Sequence, residues 1–96
     1  MQTHELQEFI RSVLKDRFPD ARIAKVAIKS DIDRDGDDIL RIIVVLEEAP
    51  SRLDKKALVG FVRHLRSRLE EVDREEFPIL SFVSRSEAKQ LDLEAA

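Results

Sequence analysis

Ile39 to Leu46 reads ILRIIVVL, eight residues with a single charge, Arg41. A run this short, rich in β-branched residues and bounded by turn-forming residues, reads as a strand. A strand sends alternate side chains to opposite faces. An antiparallel sheet with one wet face therefore alternates apolar and polar residues. This run does not, so its sheet needs cover on both faces. That demand constrains the fold more than any other feature of the 96-residue chain.

The segment before it does alternate. Val26, Ile28 and Ile32 point one way, and Lys25, Lys29 and Asp31 the other. This predicts a half-buried strand over residues 22–33, followed by a second over 38–47. Asp35-Gly36 between them matches the centre of a two-residue hairpin turn, where positive backbone angles are needed. In that register Ile32 faces Ile39, Ile28 faces Ile43 and Val26 faces Val45. Leu40, Ile42, Val44 and Leu46 then form the outer face of the second strand. Burying four such side chains is worth roughly 1.5–3 kcal/mol each. Left in water, they would form a binding or aggregation surface. Three covers suggest themselves: a C-terminal helix using Ala88 and Leu91, a second copy of the chain, or a different protein.

Two amphipathic helices flank the hairpin. Thr3 caps the first, and Leu6, Phe9, Ile10, Val13 and Leu14 make its apolar stripe over residues 4–17. Phe18-Pro19 ends it, because a residue before proline avoids helical angles. Ser51 and Asp54 form an S-x-x-D start signal for the second helix, over 52–73. Its stripe of Leu58, Phe61, Val62, Leu65, Leu69 and Val72 spans about 100° of the helical wheel. A third strand over 79–84 follows. Ser84 with Glu87 then repeats the start signal for a short helix over 85–93. The order α-β-β-α-β-α predicts a single α+β domain over 1–96. It is a two-layer sandwich: a three-stranded sheet, built from the hairpin plus one strand after a helical crossover, with the two long helices on one face.

The acidic loop carries Asp31, Asp33, Asp35, Asp37 and Asp38 against one arginine, Arg34. Asp31, Asp33, Asp35 and Gly36 resemble the opening of an EF-hand calcium loop. The eighth position should be apolar and is Asp38; the twelfth should be glutamate and is Ile42. The flanks alternate as strands and not as helices, so no metal site is expected. Ser30-Asp31-Ile32-Asp33 resembles the acidic element of minimal nucleotidyltransferases. That family also carries an upstream Gly-Ser pair. Here the only glycines, Gly36 and Gly60, precede Asp37 and Phe61. The resemblance implies a decayed relative without its phosphate-binding half. The remaining reading is a solvated hairpin tip whose charges keep strand edges from pairing.

No cysteine is present, which removes disulfides and thiolate chemistry. His4 and His64 lack ligand-like companions. MQTHELQEFI does not have the basic and apolar regions of a secretory leader, and no run approaches the roughly 20 apolar residues of a membrane span. A cytoplasmic protein without membrane contact, cofactor or small-molecule substrate is expected. Net charge is −3, which argues against general nucleic-acid binding. Arg52, Lys56, Arg63 and Arg66 nevertheless line one side of the second helix within about 80°. This basic ridge suits phosphate or an acidic partner, although no aromatic residue interleaves it for base stacking.

These features lead to a non-catalytic protein-interaction module. It would act as a homodimer or a small hetero-complex through Leu40, Ile42, Val44 and Leu46, with the acidic tip or basic ridge setting orientation. An antitoxin-like partner masking a cationic protein is one form of it. The alternative is nucleic-acid binding through the ridge.

Overall fold

The structure, a computed structural model, describes residues 3–50 and 53–90. Its elements are α1 (Thr3–Arg17), β1 (Ile23–Ile32), β2 (Asp38–Leu46), α2 (Lys55–Glu70), β3 (Phe77–Ser84) and α3 (Arg85–Gln90). The strands form one sheet in the order β1-β2-β3. β1 and β2 are antiparallel, and β2 and β3 are parallel. This is the expected α+β fold, with β2 in the centre.

The hairpin turns through a longer loop than the sequence suggests. The Asp33 N–H donates to the Asp37 carbonyl at 2.9 Å, and the Gly36 N–H donates to the Asp33 carbonyl at 3.1 Å. Gly36 has φ +84°. This is a three-residue hairpin loop, in which a left-handed glycine follows a tight turn. The extra residue moves the pairing by one step. Ile28 lies opposite Ile42 and Val26 opposite Val44, not opposite Ile43 and Val45. A single step of register sends every side chain of a strand to the other face.

The consequence corrects the expected outer face. Leu40, Ile42 and Val44 are 0% exposed and Leu46 is 3% exposed. They do not face outward. They join Leu6, Ile10, Val13 and Leu14 of α1 and Phe61, Leu65 and Leu69 of α2 in one core. The opposite face of β2 carries Ile39, Arg41, Ile43 and Val45. Ile39 and Val45 are also buried, at 3% and 0%. The outer face is covered only in part, with Arg41 exposed and Ile43 half-buried, so the expected second lid over Leu40, Ile42, Val44 and Leu46 is not needed: the helices themselves cover them. α3 packs on β2 and β3, and its Ala88 is fully buried. Leu91, expected to help Ala88, lies outside the described residues.

Several ends differ from expectation by a few residues. α2 begins after Asp54, whose Oδ1 accepts the Lys56 N–H at 2.9 Å. The cap is therefore Asp54 and not Ser51, which lies outside the described residues. α2 closes earlier than expected. The Asp73 N–H donates to the Glu70 carbonyl and the Arg74 N–H to the Leu69 carbonyl, with Asp73 at φ +61°. This is the bonding pattern of a Schellman stop, with aspartate in the position that glycine usually takes. β3 starts at Phe77, two residues before its expected start. The start signal of α3 forms as predicted. The Ser84 N–H donates to Glu87 Oε1, and the Glu87 N–H donates to Ser84 Oγ, both at 3.2 Å.

Candidate interaction surface

Among the described residues, no polar or charged side chain is buried. The polar chemistry of these residues therefore lies on the surface, and three places stand out.

The first is the acidic tip. Asp33 Oδ1 accepts the N–H groups of Asp35 and Asp37, each at 2.9 Å. These bonds draw the carboxylates of Asp33, Asp35 and Asp37 within 4.8 Å of one another. The grouping is not the Asp31, Asp33, Asp35 set of a calcium loop. It follows from the loop's backbone geometry, in which one aspartate satisfies two turn N–H groups. Asp31 stands apart. Its Oδ2 accepts the Arg41 Nε–H at 2.9 Å, and its Oδ1 accepts the Ile32 N–H at 2.8 Å. The Arg41 hydrogen bond, then the Ile32 N–H, holds the Asp31 carboxyl below its usual range. The two aspartates of the S-D-I-D segment are thus engaged in separate local structures. Asp38 closes the hairpin opposite Ile32, whose side chain is 61% exposed.

The second place is a groove of about 600 Å³ between α2 and the start of β3. Val59, Val62, Arg63, Arg66, Glu70 and Phe77 line it together with Gly60 and Ser67. Val59 is 87% exposed and Phe77 is 45% exposed. The Arg66 guanidinium carbon stands 4.9 Å from the centre of the Phe77 ring, within cation–π range. Arg63 and Arg66 of the expected ridge are brought together here, and Lys56 is exposed on the turn of α2 before Val59. Arg52 lies outside the described residues.

Sequence reasoning missed Val59 and Phe77. Val59 falls among the basic residues of the helical wheel, outside the apolar stripe, and that placement was a usable signal. Phe77 was not legible as part of the ridge, because it comes from a different element.

The third place is a hollow of about 700 Å³ at the other end of β2, lined by Arg17, Phe18, Asp20, Arg22, Glu48 and Asp54 among others. It mixes both signs of charge and carries no directional preference. His64 is half-buried, its ring 6.4 Å from that of Phe61, as part of the packing around α2. No helix among the described residues is long and apolar enough to cross a membrane.

No protein-family model, curated protein or solved structure matches this chain.

Proposed function

We propose that this chain is a non-catalytic protein-interaction module that holds an acidic, partly apolar segment of a partner in the groove between α2 and β3. The observation that carries this reading is Val59. A valine left almost fully in water near the start of α2, lining the same groove as an open phenylalanine, is surface that a partner can bury at a gain of up to roughly 1.5–3 kcal/mol. Arg63 and Arg66 in the same groove select for acidic neighbours. The docking surface moves from the β2 face expected on sequence to this groove, because that β2 face is spent in the core.

Fluorescence anisotropy tests it with a labelled peptide of alternating glutamate and leucine. Binding is expected to weaken at least tenfold in Val59→Ser/Phe77→Ser and in Arg63→Gln/Arg66→Gln. Equal affinity for wild type and both variants would refute the groove as the site.

Nucleic-acid binding gains one supporting observation, the Phe77 ring against Arg66, an aromatic that the ridge lacked on sequence. Glu70 in the same groove opposes it. Retention of a single-stranded RNA oligonucleotide, with a steep salt slope lost in Arg63→Gln/Arg66→Gln, would favour this second reading.

A further inference from the structure

We infer that the segment seated in this groove is the acidic hairpin tip of a second copy of the chain, in a two-fold dimer where each copy gives its tip and receives the other's. The inference rests on the groove reading and names its occupant.

Two complementary surfaces carry it. The tip combines the carboxylates of Asp33, Asp35, Asp37 and Asp38 with an exposed aliphatic side chain, Ile32. The groove combines Arg63 and Arg66, against one acid, Glu70, with exposed Val59 and Phe77. Each surface thus has an apolar element to bury and charges of the sign the other needs.

Their placement adds a second argument. Phe77 pairs in register with Ile39, the residue directly after Asp38. α2 runs back from the end of β2 towards the start of β3, so Arg66 arrives beside Phe77. Tip and groove therefore share one end of the sheet. An acidic patch beside a basic patch is self-complementary under a two-fold rotation, which closes the assembly at two copies. The acid tip in that neighbourhood also repels nucleic acid.

The test uses the full chain and two charge-reversed variants. Asp35→Lys/Asp37→Lys alters the tip. The N–H groups of these residues hold the loop in place, so reversing their carboxylates spares those bonds. Arg63→Glu/Arg66→Glu alters the groove at exposed positions. Circular dichroism confirms that each variant is folded, and sedimentation equilibrium gives the mass. Wild type is expected at twice the monomer mass in low salt, falling towards the monomer at about 0.5 M salt, where screening acts within a few ångströms. Each variant alone is expected to be monomeric, and an equimolar mixture is expected to restore the dimer. If a variant does not fold, the salt series and Val59→Ser carry the same test.

A monomeric wild type at low salt overturns the inference. So does a dimer indifferent to salt and to both variants. A mixture heavier than two copies overturns the two-fold closure. A monomeric wild type that still binds the glutamate-leucine peptide leaves the groove reading standing and removes only the second copy as occupant.

Discussion

Asp73 is the residue with the clearest backbone cost. An L-residue in the left-handed region is disfavoured by about 1–2 kcal/mol, a cost that aspartate can lessen by local hydrogen bonding. Here φ +61° is imposed by the two bonds that end α2. Asp73→Gly is expected to raise stability by about 0.5–1 kcal/mol, the relief of strain less the added freedom of the unfolded chain. Urea unfolding measures it, and an unchanged midpoint would argue against strain there. Asp31 gives a residue-scale prediction in pH. Its folded carboxyl titrates below its ordinary range because Arg41 bonds the charged form. A depressed acid stabilises the fold above its unfolded pKa, and that contribution is lost as pH falls through its folded pKa. The pair is exposed, so the effect on stability is small and screened by salt. An NMR titration of the Asp31 carboxyl is expected to move up in Arg41→Met. A titration unmoved by that change would place the cause elsewhere.

The decisive element is β2. With the observed register, Leu40 belongs to the core under α1 and α2, whereas Ile79 on β3 stays 39% exposed. Leu40→Lys buries an unpaired charge and is expected to unfold the domain, an effect above 4 kcal/mol. Ile79→Lys is expected to cost under 1 kcal/mol and leave the fold intact. The two-residue hairpin register would reverse that order at β2, with Leu40→Lys tolerated and Ile43→Lys unfolding the chain. Thermal unfolding of the three variants distinguishes the registers. The hairpin also shows why element existence was legible while its loop was not. Asp35-Gly36 marks a turn, and Gly36 does adopt a positive angle. The competing demand came from Asp33, whose carboxylate gathers two N–H groups and widens the loop to three residues. A dipeptide signal does not carry that choice.

At the scale of the whole molecule, both long helices lie against one sheet face, and α3 takes up part of the other. Arg85 on α3 bonds Glu47, just past the end of β2, at 2.6 Å, which ties the short helix to the central strand. The same architecture leaves the tip and the α2–β3 groove open at a shared end, and it is this juxtaposition that gives the molecule two complementary surfaces. The helices, the strands and their order were readable from the chain, because apolar spacing and start signals such as Ser84 with Glu87 act within a few residues. The apolar run also pointed to cover on both faces of β2, and the outer face received it only at Ile39 and Val45, with Arg41 left in water. Which side of β2 carries Leu40 and which carries Ile39 emerges with the folded hairpin. Arg41 on the Ile39 face marks the side that reaches water, but the Asp35-Gly36 turn signal pointed to the opposite register, and only the three-residue loop of the folded hairpin puts the charge outside. The groove emerges with the fold too. Arg66 and Phe77 are separated by the end of α2 and the turn after it, and only the crossover from β2 to β3 brings them within 4.9 Å.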